Sequence, residues 1–79
     1  MAGNIGVSPM RYREVAQKLT MLGCQELGRR SGGSHRKWFN LFTQRATVIP
    51  DWGGRDLKQG TVRAAIQQLG IDWQDFQNT

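Results

Sequence analysis

The sequence predicts an α+β domain of order α-β-β-β-α, a three-stranded antiparallel sheet with two helices on one face. Three observations carry this reading. Apolar residues recur at helical spacing in two stretches, Tyr12 to Leu22 and Val62 to Leu69. Between them lie three short segments separated by turn residues. Consecutive strands favour an antiparallel meander, and two amphipathic helices must bury their stripes on the same sheet face.

Residues 1–7 are small and loosely patterned and read as a flexible N-terminal arm; residues 8–79 read as a single domain. Ser8-Pro9 is a helix start, because Ser caps orphan amides and Pro suits the first helical position. Tyr12, Val15, Ala16, Leu19 and Leu22 then form one apolar face, and Gly23 ends the helix. Cys24 to Arg30 reads as the first strand, weakened by Gly28. Ser31-Gly32-Gly33-Ser34 is a turn. Arg36 to Phe42 is the second strand, Thr43-Gln44 a tight connection, and Arg45 to Ile49 the third strand, stopped by Pro50. Residues 51–56 read as loop. Thr61 can cap the second helix, whose stripe is Val62, Ala65, Ile66 and Leu69 and whose end is Gly70. Asp72 can cap a last turn that returns Trp73 and Phe76 to the body.

Size and composition limit the chemistry. A chain of 79 residues has room for one small core and a surface site, not for a nucleotide-cofactor domain. Cys24 is the only cysteine, so no internal disulfide and no zinc cluster can form. No apolar run is long enough to span a membrane, and residues 1–7 lack a signal-peptide core. A cytoplasmic protein without cofactor or metal is the expectation.

The net charge is +5, from eleven Lys and Arg against six Asp and Glu. The charge is uneven. Arg29, Arg30, Arg36, Lys37, Arg45, Arg55, Lys58 and Arg63 face only Asp51 and Asp56 within the same stretch, which carries +6. Clustering of this kind is the footprint of a polyanion binder, with nucleic acid the leading candidate.

Gly32-Gly33-Ser34-His35-Arg36-Lys37-Trp38 holds the only histidine. Imidazole is the one side chain whose ordinary pKa lets it both take and give a proton near neutrality. RNA suits so small a kit, since its 2′-OH is an internal nucleophile beside the phosphorus. Cleavage needs a base, a donor for the leaving 5′-oxygen, and cations for the developing charge. His35 can fill either proton-transfer role but not both at once. The bland alternative is that His35 begins a strand and faces solvent. No Ser/His/Asp triad, carboxylate pair or P-loop competes.

Aromatics and a helix start add to the interface. Of Trp38 and Phe39, one should face the helices and the other the open sheet face. Trp52 is a candidate for an exposed base contact, with rim packing as the alternative. Lys58-Gln59-Gly60-Thr61 puts a cation and orphan amides where a phosphate is favoured.

Gly33-Ser34-His35, the following strand pair, Ile49-Pro50, Gly53-Gly54, Leu57-Lys58, Gly60-Thr61 and the apolar helix to Leu69-Gly70-Ile71 together resemble the HicA (YcfA-like) family of small mRNA interferase toxins. The likeness runs from Ser8 to Phe76. It implies a fold similar to the double-stranded RNA-binding domain, a cofactor-independent endoribonuclease acting on mRNA, His35 as catalytic residue, and a HicB-type protein antitoxin. The RNA-binding set is then drawn from Arg29, Arg30, Ser34, Arg36, Lys37, Arg55 and Lys58. Two departures stand out. Many members carry a His after the Pro that ends the third strand, where this chain reads Pro50-Asp51-Trp52; and the segment from Gly23 to His35 is long. The second reading is a non-catalytic RNA-binding module of the same shape. The third is an interaction protein that pairs through a sheet edge.

Overall fold

The computed structural model describes residues 10–28 and 34–79. The arm at residues 1–7, Ser8-Pro9, Arg29-Arg30 and the Ser31-Gly32-Gly33 turn lie outside the described residues. In chain order the elements are β1 (Met10–Arg11), α1 (Tyr12–Met21), β2 (Cys24–Glu26), β3 (His35–Asn40), β4 (Arg45–Pro50), β5 (Asp56–Leu57), α2 (Gln59–Gln68) and α3 (Trp73–Gln77).

The main sheet has the order β2-β3-β4, antiparallel throughout, as the meander reading expects. Cys24 faces Asn40, Trp38 faces Thr47, and His35 faces Pro50. Alternation along the strands separates two faces. Cys24, Trp38, Asn40, Thr47 and Ile49 are buried. They meet Tyr12, Val15 and Leu19 of α1 and Val62, Ala65 and Ile66 of α2. Both helices therefore cover one face, and among the described residues the other is left open.

Several details differ from the sequence expectation. The strands of the central hairpin run His35–Asn40 and Arg45–Pro50, with residues 41–44 as the turn, rather than Arg36 to Phe42 and Arg45 to Ile49. The first helix begins at Tyr12, because Met10–Arg11 is extended and pairs antiparallel with Asp56–Leu57. This second, two-stranded ribbon ties the entry of α1 to the entry of α2. Arg11 N–H donates to Glu14 Oε1 at 2.9 Å, which closes the first turn. The first strand stops at Glu26 rather than running on to Arg30. The second helix starts at Gln59 with Lys58 as its cap residue, ahead of the expected Thr61.

Turns are held by specific bonds. Gly23 ends α1 at φ +90°, and the Phe42 ring occupies the space a side chain there would need. Gln44 carries the left-handed position of the β3–β4 connection at φ 61°, where the chain has no glycine. Buried Asn40 organises that turn. Its Oδ1 accepts from the Phe42 N–H at 2.8 Å, and its Nδ2 donates to the Leu69 carbonyl at 2.9 Å. Thr43 Oγ1 donates to the same carbonyl at 2.7 Å. The carbonyl of Leu69, the C-cap of α2, thus finds two donors in the hairpin, as a buried helix end requires.

Asp72 caps α3 as the sequence suggests, accepting from Gln74 N–H at 3.1 Å. Phe76 is wholly buried and stacks on Trp73 at 5.4 Å. Lys18 of α1 lies 5.0 Å from the Phe76 ring centre and donates to the Phe76 and Gln77 carbonyls. A cation at these C-terminal carbonyls is favourable in both respects. Among the described residues no helix is long and apolar enough to cross a membrane.

Candidate functional site

His35 is the first residue of β3 and is exposed. The pleat sends His35, Lys37 and Phe39 to the open face, and Arg36, Trp38 and Asn40 to the helix side. The expected split of the adjacent aromatics is therefore resolved. Trp38 is in the core, and Phe39 is half-buried on the far side.

Asp51, just past β4, holds both chain neighbours of His35, Ser34 at its backbone and Arg36 at its side chain. Its N–H donates to the Ser34 carbonyl. Its Oδ2 accepts from Arg36 at 3.1 Å, and its Oδ1 accepts from the Gly53 N–H at 2.9 Å. Arg36 also donates to Glu26 Oε2 at 3.3 Å. Glu26 Oε1 accepts from the Tyr12 hydroxyl at 3.0 Å, and that hydroxyl accepts from Trp38 Nε1 at 2.9 Å. One polar chain thus runs from the core through α1 and β2 to the loop after β4, directly behind His35. Both ion pairs are more than two-thirds buried. Shielding of this kind makes them stronger than exposed pairs, and dependent on both partners being kept.

Burial is the main cause that pushes the Tyr12 hydroxyl from 10.0 up to about 12, and the Glu26 carboxylate adds to it. The unfolded chain ionises near 10 and the folded chain only near 12. The unfolded state then binds fewer protons, so stability is full below pH 10 and is lost as the pH rises to about 12. A fall in unfolding free energy of roughly 2–3 kcal/mol across that window is the expected contribution of Tyr12. Denaturant titrations of the wild type and Tyr12→Phe at pH 9 to 11.5 measure it. The variant starts lower, because Trp38 and Glu26 lose their partner, and falls less steeply; parallel curves would contradict the assignment. Burial likewise raises the Cys24 thiol, which keeps it protonated and unsuited to nucleophilic work.

The cations singled out in the sequence fall into different settings. Lys37 is exposed on the open face, with no ion pair among the described residues. Ser34 is exposed beside His35. Arg36 is on the helix side, held by two carboxylates. Arg55 is exposed, 5.5 Å from the ring centre of Trp52, and Trp52 itself packs partly against the core. Lys58 is exposed at the entry of α2, and its carbonyl accepts from Val62 N–H. Arg29 and Arg30 lie outside the described residues.

Glu26, Asp51 and Tyr12 were not among the site residues that sequence reasoning selected. A signal was present. Strand parity puts Arg36 on the same side as Trp38, facing the helix that begins at Tyr12. A buried arginine requires carboxylates, and the nearest in sequence are Glu26 and Asp51.

A model of the family described as HicA toxin of bacterial toxin–antitoxin matches residues 12–71, most of the chain and all of the main sheet. No curated protein matches the chain at a significant level.

Proposed function

The chain belongs to the HicA toxin family of bacterial toxin–antitoxin systems, and from that premise we propose a small metal-independent endoribonuclease that cleaves mRNA in the cytoplasm and is blocked by a HicB-type antitoxin. The observation that supports this most is the setting of His35. It stands exposed on the open sheet face beside Lys37, with Asp51 gripping Ser34 and Arg36 on either side of it.

In this reading the 2′-OH attacks the adjacent phosphorus. The 2′-O–P bond forms, the P–O5′ bond breaks, and a 2′,3′-cyclic phosphate and a 5′-hydroxyl result. His35 takes the 2′ proton or supplies the proton to the leaving oxygen. Lys37 stabilises charge on the phosphorane. Ser34, Arg55, Lys58, Arg29 and Arg30 hold the RNA backbone. Arg36 serves as a positioning residue, since its guanidinium is taken by Glu26 and Asp51.

The test is cleavage of a mixed-structure RNA with EDTA present, run beside a salt-titrated binding assay. Metal-independent cleavage supports the reading. Salt-sensitive binding without any cleavage favours the non-catalytic RNA-binding module instead.

Asp51 provides a finer check. Asp51→Ala removes the carboxylate that fixes Arg36 and Gly53. Cleavage should fall by up to about 10²-fold through misplacement of His35, in kcat rather than KM. Asp51→Asn keeps one acceptor oxygen, enough for the Gly53 N–H but not for Arg36 as well, and should retain an intermediate activity. Equal rates for wild type and Asp51→Ala would remove Asp51 from the positioning role.

A further inference from the structure

We propose that an unpaired RNA strand lies along the open face of the β2-β3-β4 sheet, with Phe39 as a base-stacking platform. This rests on the endoribonuclease reading and assigns the substrate class its site takes.

Three features of the face point there. First, the pleat of β3 sets His35, Lys37 and Phe39 in a row, successive members about 6–7 Å apart along the strand. A proton-transfer group, a cation and an aromatic ring thus follow one another on one surface. Second, Phe39 is spare. It belongs neither to the buried core nor to the partly buried side chains packed against it. Its directly opposed cross-strand neighbours are Gln25 and exposed Ala46, neither of them a large apolar side chain, and the ring is half-buried on the open face. Val48, opposite Lys37, is 50 % exposed and extends the apolar floor.

Third, the face carries no negative charge. Gln25, Ala46, Val48 and Pro50 lie on it beside His35, Lys37 and Phe39. The chain has six acidic residues, and all lie elsewhere. Glu26 and Asp51 are turned to the helix side and paired with Arg36. Glu14 is in α1, Asp56 in β5, and Asp72 and Asp75 are at α3.

A duplex presents phosphates and sugars but keeps its base faces stacked inside. Phe39 offers nothing to it. Unpaired bases have free π-faces, and aromatic side chains bind them without regard to sequence. The combination of an exposed cation and an open-face ring therefore selects single-stranded segments, loops or ends.

The experiment uses His35→Ala as background, so that RNA survives the measurement. Affinity for an unstructured RNA oligonucleotide and for a blunt duplex of equal length is read by fluorescence anisotropy, with 2-aminopurine in the single strand as a stacking reporter. The background protein should prefer the single strand. Adding Phe39→Leu should weaken single-strand binding by roughly 5- to 150-fold, the range expected for loss of one stacked base. The 2-aminopurine quench should disappear and duplex binding should stay unchanged. Phe39→Trp should restore the quench. Unchanged single-strand affinity in Phe39→Leu, or a preference for duplex, overturns the proposal while leaving His35-dependent cleavage intact. Absence of binding to either RNA overturns it together with the endoribonuclease reading. A matching thermal melt for each variant excludes misfolding.

Discussion

Replacing His35 with alanine should abolish measurable RNA cleavage and leave the fold and RNA affinity nearly unchanged. General acid–base catalysis by one positioned side chain is worth about 10²–10⁴-fold. No second histidine exists in the chain to take over. The side chain is exposed at the first position of β3. Its removal opens no cavity, so the stability change should stay within about 0.5 kcal/mol. Affinity should hold because the exposed cations Lys37, Arg55 and Lys58 remain in place to contact phosphate. The measurement is a time course of cleavage in EDTA, with circular dichroism and anisotropy on the same samples. Full cleavage by the variant would remove His35 from the chemistry.

Replacing Trp38 with alanine should do the reverse, destroying the fold and with it everything else. Trp38 is 3 % exposed and lies at the centre of β3, opposite Thr47 and Glu26. Large-to-small aromatic substitutions in a core cost about 3–5 kcal/mol. A chain of this length has a total stability of roughly 4–12 kcal/mol, and small domains lie toward the lower end. The same change takes the Nε1 donor away from the Tyr12 hydroxyl, at the head of the polar chain behind His35. Loss of near-ultraviolet dichroism and of a cooperative denaturant transition is the expected result. Trp38→Phe keeps most of the volume but not the donor and should fold with a lowered midpoint. A cooperative Trp38→Ala protein with a near-normal midpoint would mean that the core is not built around this ring.

The two substitutions mark what was legible in the sequence and what was not. The helical stripes of Tyr12-Val15-Ala16-Leu19-Leu22 and Val62-Ala65-Ile66-Leu69 have a strong period; the structure buries seven of these nine and packs Ala16 and Leu22, half-buried, against the core. The β3–β4 pair was likewise visible, because Pro50 and the turn at Thr43-Gln44 bound it. Two-residue strands have no period to read. β1 and β5 form only because distant segments meet, and they delay the start of α1 to Tyr12. Helix α2 starts at Gln59 although Lys58 makes no side-chain cap. Tertiary packing, not capping chemistry, sets that boundary.

At the site, the position of His35 was legible directly, and the setting of Arg36 only through strand parity. Counting charge treats every cation alike. Parity alone distinguishes Lys37, which faces outward, from Arg36, which is held between two carboxylates. The supporting carboxylates went unread because Glu26 and Asp51 are far apart in the chain and meet only when β2 and the segment after β4 flank β3.

The position of α3 has a consequence for where the folding unit stops. The stretch shared with the family runs to residue 71, yet Phe76, five residues further on, has no exposed surface. A protein trimmed to the shared stretch would keep His35, Asp51 and Arg36 but lose the aromatic plug that closes the gap between Lys18 and the second helix. Filling such a gap is worth several kcal/mol, on the order of a small domain's whole margin. Kinship marks the stretch in which His35 and the polar chain behind it lie; hydrophobic closure sets the length that must be present for that arrangement to be held in place.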